Sequence, residues 1–220
     1  MNKKNRMQLI EDVKSPINLQ NPIDAQQWAL DANLKRPYRK TFFKFYASLL
    51  PKESKSSFKV LEIGSGPGHL AQVLLHHDPL LNYTAVDFSE AMHKLSQTSL
   101  AEISPQCVQF ICADFKQPLW YSSLHAQKFD LIIIHQALHE LRHKAHSLNF
   151  HQIISKNLLK PLGVYCICDH LAKPDGNMQN SDLYMNIQEH LNALEQANFN
   201  HIEMPLNIEG LCLFVCKLEP

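Results

Sequence analysis

The pattern of apolar and polar positions changes character near residue 58. Before it, residues 1–50 are rich in Asn, Gln, Lys and Arg. Apolar positions over 25–50 recur at helical spacing, with a break near Pro37, and Phe42, Phe43, Phe45 and Tyr46 form the expected buried stripe. Residues 51–57 are polar and indicate a loop. We therefore predict an N-terminal helical extension or lid over 1–57 and a separate domain over 58–220.

Within 58–220, short apolar segments alternate with amphipathic stretches of helix length. Ser89 suits the cap of a helix that runs to about residue 100, and two closely spaced segments near the end, 201–205 and 212–217, predict a hairpin. Strands alternating with helices predict an α/β, doubly wound sheet. The remaining predicted strands cover 59–63, 83–86, 108–112, 129–134 and 163–168.

Composition narrows the functional classes. The 220 residues are 45% hydrophobic and 19% charged, as in an ordinary globular protein. Lys and Arg number 21, as do Asp and Glu, so no global field attracts nucleic acid or an anionic membrane. The basic residues 1–6 lack the apolar stretch of a signal peptide, and no apolar run approaches the ~20 residues of a membrane span. The six cysteines lack CxxC spacing and are predicted to be reduced and buried. We expect a cytoplasmic location.

A glycine-rich turn directly follows the first predicted strand. Gly64, Gly66 and Gly68 allow the backbone to bend sharply and approach a ligand. In a doubly wound sheet this turn borders the crevice at the carboxyl ends of the strands, where ligands bind. His69 stands where a dinucleotide fingerprint needs its third glycine, and the Lys-Ser/Thr pair of a P-loop is missing from the turn.

Acidic residues lie at the ends of three successive predicted strands. Glu62 would repel a pyrophosphate but can accept hydrogen bonds from an amino group. Asp87 is placed to accept bonds from both hydroxyls of a ribose, and Asp114 with Phe115 is placed to hold an adenine. Together they favour a positively charged nucleoside cofactor without phosphates. The alternative is that each acid only caps the following helix.

Four segments resemble, in order, the motifs of class I S-adenosylmethionine-dependent methyltransferases. They are VLEIGSGPGHL (60–70), AVDFSEAM (85–92), CADF (112–115) and FDLIIIHQALHEL (129–141), and LLKPLG (158–163) is similar to the run into strand five. The resemblance covers about residues 58–218. It implies a Rossmann-like sheet of seven strands, mostly parallel with the last antiparallel, and S-adenosyl-L-methionine as cofactor with S-adenosyl-L-homocysteine as product.

By position, the resemblance also implies roles for individual residues. The three glycines of the turn approach the methionine part of the cofactor, and Glu62 helps to hold its amino group. Asp87 takes the ribose hydroxyls. His135 stands where the family often has a small polar residue or Asn, so it either lines the pocket or faces the acceptor. The adenine contacts are Phe88, Met92, Asp114 and Phe115.

Methyl transfer is an in-line displacement, in which the protein mainly aligns acceptor and methyl group. A hydroxyl or amine acceptor needs a base, for which His135 and His139 are the candidates, whereas a carbon or thiol acceptor needs neither. The Asn-Pro-Pro-Tyr form of the fourth motif is absent, which disfavours nucleic-acid bases and favours a small molecule. Residues 1–50 and a loop over 173–185 are expected to form the acceptor pocket. A protein that binds the cofactor for other chemistry or for regulation is the alternative, and a homodimer is left open.

Residues 139–143 also spell H-E-x-x-H, the pattern of zinc hydrolases. On a helix, His139 and His143 would share one face and could grip zinc, with Glu140 as base. The longer form of the pattern fails, because His146 and Asn149 occupy its glycine and third-histidine positions. We therefore predict no metal site and treat a zinc hydrolase as the lesser alternative.

Basic residues cluster in the N-terminal extension, at Lys35, Arg36, Arg39, Lys40 and Lys44. Such a cluster could attract an anionic acceptor or RNA. Because the whole chain is neutral, we expect instead the solvated face of a helix. Arg36 and Tyr38 remain candidate lid residues.

Overall fold

In the computed structural model, which describes residues 10–53, 57–103 and 108–218, seven strands form one sheet with helices on both faces. The strands are β1 (Lys59–Ile63), β2 (Asn82–Asp87), β3 (Val108–Cys112), β4 (Phe129–His135), β5 (Leu159–His170), β6 (Phe199–Ile208) and β7 (Leu211–Leu218). The α-helices are α1 (Pro22–Lys35), α2 (Arg39–Ser48), α3 (His69–His77), α4 (Glu90–Leu100), α5 (Ser147–Ile153) and α6 (Ile187–Gln196).

The sheet has the order β3-β2-β1-β4-β5-β7-β6. Strands β1 to β5 pair in parallel, whereas β7 pairs antiparallel with both β5 and β6. The predicted doubly wound sheet with one antiparallel late strand and a terminal hairpin is confirmed. The chain order reverses between β1 and β4, and a crevice at their carboxyl ends is where such a sheet binds ligands.

Two apolar cores cover the two faces of the sheet, because the side chains of a strand alternate between faces. On β4, Ile132 and Ile134 face one core, while Leu131 and Ile133 face the other. The second core also contains Phe42, Phe43 and Tyr46 of α2, together with leucines of α3. Helix α2 therefore packs in the same core as the strands that follow it.

The break in the N-terminal extension falls where the sequence predicted it. Helix α1 ends at Lys35 and α2 begins at Arg39, on either side of Pro37. Asn21 caps α1 by accepting bonds from two backbone N–H groups, and Pro22 occupies the first turn. Ala25 of α1 packs against α4, which brings the extension over the crevice.

The cysteines divide between core and surface. Cys166 and Cys168 face one core and Cys212 and Cys216 the other, all four buried as expected. Cys112 is exposed, so the prediction of burial is wrong for this thiol. Cys107 lies outside the described residues. Across the described ranges, no helix combines the length and apolar character needed to span a membrane.

Candidate active site

A cavity lies at the carboxyl edge of β1, β2 and β4. Its empty volume, which includes open solvent at the mouth, is about 740 Å³. The sheet and its turns supply Glu62, Gly64, Gly66, Asp87 and His135, among others. The opposite wall comes from the N-terminal extension and is formed by Ile17, Leu19, Trp28 and Arg39. The cavity is therefore built jointly by the two predicted regions of the chain.

The glycine turn performs two different tasks. Gly64 and Gly66 line the cavity with positive φ angles of 70° and 54°. A Cβ on Gly64 would come within 2.4 Å of Ala137 Cβ. Gly68 does not line the cavity; at φ 83° it faces α4, where a Cβ would lie 2.4 Å from Ser96 Oγ. Two glycines thus keep backbone near the cavity, and the third lets α3 and α4 pack closely.

Glu62 lines the cavity and is buried, with 3% of its surface exposed. The hydroxyl of Tyr83 donates to its Oε2 at 2.5 Å. Burial raises the pKa of Glu62 to about 8, although the Tyr83 hydrogen bond acts in the opposite direction. A cationic group in the cavity would therefore stabilise the ionised carboxylate.

Asp87 ties the glycine turn to the start of α4. Its Oδ2 accepts the N–H of Gly66 at 2.8 Å, and its Oδ1 accepts the N–H of Ser89 at 2.9 Å. Burial raises the pKa of Asp87, and these two backbone donors oppose the shift. Each carboxylate oxygen keeps a further lone pair that can accept a hydroxyl donor.

The predicted adenine contacts divide between two places. Phe88, Met92 and Phe115 line the cavity. Asp114 does not; it is half-buried, accepts the N–H of Lys116 at 3.0 Å, and lies on an adjoining groove that Phe88 shares. The structure thus brings three of the four residues to the same wall.

His135, the last residue of β4, is enclosed by α2. Its Nδ1 lies 3.0 Å from the hydroxyl of Tyr46, and the rings of Phe42 and Phe43 pack on it. Burial lowers the pKa of His135 well below its usual value, and the charge of Arg39 adds to this. The imidazole is therefore neutral.

His139 forms a dyad with Asp169, a residue for which the sequence predicted no role. Its Nδ1 lies 2.7 Å from Asp169 Oδ1, and its backbone N–H donates to Oδ2 at 2.7 Å. Burial lowers the pKa of His139, but the carboxylate of Asp169 outweighs this and the net shift is upward. Burial raises the pKa of Asp169, but the charge of His139 outweighs this and lowers the pKa of Asp169 to about 2. Asp169 is near the end of β5, so the rule that marked acids at strand ends would have found it.

The helix that the H-E-x-x-H pattern needs does not form. Residues Leu138–Leu141 make a short 3-10 turn, and Arg142 follows in a left-handed conformation at φ 65°. Glu140 pairs with Arg142, and His143 Nδ1 accepts the N–H of Ala145 instead of facing His139. In the part of the chain that the structure describes, no three His, Cys, Asp or Glu side chains are grouped to hold a metal ion.

Arg142 fastens the N-terminal segment beside the cavity. Its Nε and Nη2 donate to the carbonyls of Val13 and Lys14 at 2.8 and 2.9 Å, and the N–H of Val13 donates to the carbonyl of Arg142. Ser89 Oγ holds the same segment further along, at the carbonyl of Leu19. The segment that precedes α1 is therefore held against the turn after β4 and the start of α4.

Arg39 is buried, so the expectation that it lies on a solvated helix face is wrong. Only 5% of its surface is exposed, and it lines the cavity, whereas Arg36 and Tyr38 do not. The helical spacing of Arg39, Phe42 and Phe43 was the available signal, because all three lie on the buried face of α2.

Comparison with known proteins decides the family. A model of the methyltransferase domain matches residues 54–208, well over half of the chain. The chain belongs to this methyltransferase family. The resemblance drawn from its motifs is confirmed. A curated relative, malonyl-[acyl-carrier protein] O-methyltransferase from Acetivibrio thermocellus, is 32% identical over 85 residues, which are 39% of this chain and 27% of that protein. The chain thus covers less than a third of that relative.

Solved structures share the fold at low identity. Human N-acetylserotonin methyltransferase, in complex with SAM, is 14% identical with a TM-score of 0.67, and the match covers 92% of this chain and 58% of that one. An O-methyltransferase family 2 protein from Planctomyces limnophilus, in complex with apigenin, is also 14% identical with a TM-score of 0.67, covering 90% and 62%. The chain spans less than two thirds of either protein.

The wall of the cavity in this methyltransferase contains buried polar atoms that can still form hydrogen bonds. Three buried atoms on its wall have no hydrogen-bond partner within the described ranges: Arg39 Nε, Ser65 Oγ and His135 Nε2. Leaving such atoms unpaired is costly. Together with Glu62 and Asp87, they fit a ligand that carries an ammonium, a carboxylate and hydroxyl groups, as S-adenosylmethionine does.

Proposed function

We propose that this methyltransferase uses S-adenosylmethionine bound in the cavity to methylate a small molecule. The observation that carries the proposal is the convergence of Glu62, Asp87 and the glycine turn on one cavity with unpaired polar atoms. The SAM complex of the human neighbour supports the choice of cofactor, as does a second neighbour described as PigF with SAH. Family membership favours methyl transfer over a purely regulatory role.

Each part of the cofactor has candidate partners. Glu62 would accept from the amino group, and Asp87 from the ribose hydroxyls. Gly64 and Gly66 would place their backbone beside the methionine part, while Gly68 supports them through helix packing. The candidates for the adenine are Phe88, Met92 and Phe115, with Asp114 on the adjoining groove.

When bound, S-adenosylmethionine would supply an activated methyl group to a lone pair of the acceptor, with the sulfur of S-adenosylhomocysteine as the leaving group. His139 takes the proton of a hydroxyl or amine acceptor at Nε2, because Asp169 engages its Nδ1. Asp169 is a positioning residue that fixes the imidazole. Neutral His135 offers a hydrogen bond at Nε2 to a group in the cavity.

The acceptor is proposed to be small. Residues of the N-terminal extension and Tyr184 of the loop over 173–185, whose ring lies 5.4 Å from that of His139, enclose the proposed base. The apigenin complex of one neighbour supports this. The balanced charge disfavours nucleic acid.

Free thiols support a cytoplasmic location. Contact between two copies of the chain is supported by exposed apolar residues on α1, which are Ile23, Leu30 and Leu34.

Isothermal titration calorimetry with S-adenosylmethionine and S-adenosylhomocysteine tests the proposal. We expect the wild type to bind both, and Asp87→Asn to weaken both by tenfold or more, since hydrogen bonds to a charged group contribute ~1.5–3 kcal/mol each. Asp130→Asn is the matched control. Asp130 is at the opposite end of β4, where it accepts the Lys59 N–H and pairs with Lys160, so binding should be unchanged. A folded wild type that binds neither ligand contradicts the proposal.

A further inference from the structure

Arg39 brings a positive charge into the cavity from outside the matched methyltransferase region. It is the first residue of α2, in the extension that precedes residue 54. Its guanidinium carbon lies 5.8 Å from the centre of the Trp28 ring and 5.2 Å from that of Phe43. These aromatic walls hold the guanidinium in place and shield it from water.

The guanidinium has few partners of its own. Arg39 Nη1 donates to Asn33 Oδ1 at 3.1 Å and lies 3.5 Å from His69 Nδ1, while Nε is unpaired. Within residues 10–53, 57–103 and 108–218, no carboxylate oxygen lies within 4.0 Å of it. Burial lowers the pKa of Arg39 to about 10, which still leaves it charged at neutral pH. A buried cation without an anion is unfavourable, so the arrangement favours an anionic ligand group.

The surroundings of Arg39 indicate which ligand group this is. His69 directly follows the glycine turn, and Trp28 lies next to Gly66, because a Cβ there would come within 3.8 Å of the indole. Glu62 contributes an acid to the same cavity and is the main attractive charge for Arg39. One cation and one acid beside the glycine turn complement an α-amino acid, which carries one carboxylate and one ammonium.

We propose that Arg39 binds the α-carboxylate of the cofactor's amino-acid part, opposite the ammonium held by Glu62. This inference rests on the proposed function and adds to it a binding residue from the N-terminal extension. It follows that the region matched by the family model does not contain the whole cofactor site.

Two ligands that differ only in the amino-acid part test the inference. S-adenosylhomocysteine carries the α-carboxylate and ammonium, whereas 5′-methylthioadenosine ends in a methyl thioether. Calorimetry on the full chain should show that Arg39→Gln weakens S-adenosylhomocysteine binding by about 10- to 100-fold. Binding of 5′-methylthioadenosine should stay within about twofold of the wild type, because this ligand has no carboxylate to lose. Lys40→Gln removes the neighbouring exposed charge of α2 and should leave both affinities unchanged.

Arg39→Lys keeps the positive charge but loses the planar set of donors of the guanidinium. This variant replaces Arg39→Gln in the test if Arg39→Gln does not fold. We expect it to weaken S-adenosylhomocysteine by a smaller factor and to spare 5′-methylthioadenosine. Equal losses for both ligands would show a merely structural role and overturn the inference, as would no loss for either. If the wild type binds both ligands, the proposed function stands whatever the result for the Arg39 variants. If the wild type binds neither ligand, both the proposed function and this inference are overturned.

Discussion

At the residue scale, the closest charge coupling in the site joins His139 to Asp169. The carboxylate is buried and accepts from both the ring and the backbone of His139. We predict that Asp169→Asn lowers the pKa of His139 by at least about one pH unit, since a nearby opposite charge shifts a pKa by roughly one to three. Titration of the imidazole resonances by NMR measures this without knowledge of the acceptor.

The same pair has a signed effect on stability. The folded state raises the pKa of His139. The contribution of the pair to the free energy of unfolding is therefore fully present below the unfolded pKa of about 6.5 and is lost as the pH rises through the folded pKa. Asp12→Asn is the control, since Asp12 pairs with His146 at the surface. An unchanged His139 titration in Asp169→Asn would disprove the coupling.

At the element scale, the close packing of α3 and α4 depends on Gly68. We predict that Gly68→Ala lowers the free energy of unfolding by about 1–3 kcal/mol, because it adds left-handed strain and a clash with Ser96. Gly66→Ala is the matched control: its φ is also positive, but its nearest atom, on Trp28, is 3.8 Å away. Urea denaturation measures both variants.

The clash itself can be relieved separately. Ser96 Oγ is buried without a partner among the described residues, so Ser96→Ala alone should cost little. Combined with Gly68→Ala, it should restore part of the lost stability, although Ser96 Cα stays 3.2 Å from the added carbon. Equal destabilisation by Gly66→Ala and Gly68→Ala would mean that strain, and not helix packing, sets the requirement.

At the scale of the whole molecule, buried histidines make the fold sensitive to acid. Burial lowers the pKa of His151 to about 3 and that of His190 to about 4. Both nitrogens of His190 lack partners within the described chain, and its ring stacks on Phe214 at 4.7 Å. A lowered folded pKa means that stability is full above the unfolded value of about 6.5 and falls as pH drops toward 4.

We predict that His190→Leu reduces the stability lost between pH 7 and pH 5 by about 1–2 kcal/mol, because one buried group no longer has to be kept neutral. Chemical denaturation at the two pH values measures the difference. His201→Leu, which replaces an exposed histidine of β6, should leave the acid response as in the wild type. An acid response of His190→Leu that matches the wild type would refute the assignment.

The sequence by itself determined the parts that depend on neighbouring residues. Short apolar segments that alternate with amphipathic stretches predicted the strands, and parallel strands must place their carboxyl ends at one edge of the sheet. Glu62, Asp87 and His135 follow from that rule, and the structure brings all three to one cavity. Their roles toward the cofactor remain predictions.

Only the tertiary structure decided the contacts between distant segments. The burial of Arg39 needs α2 packed against β1 and α3, and the His139–Asp169 dyad needs β4 and β5 side by side. The left-handed turn at Arg142, which abolishes the H-E-x-x-H helix, accompanies its bonds to Val13 and Lys14 far earlier in the chain. Local patterns determine which face of an element is apolar. Only the packing of distant elements determines which polar side chains on that face become buried and which partners they contact.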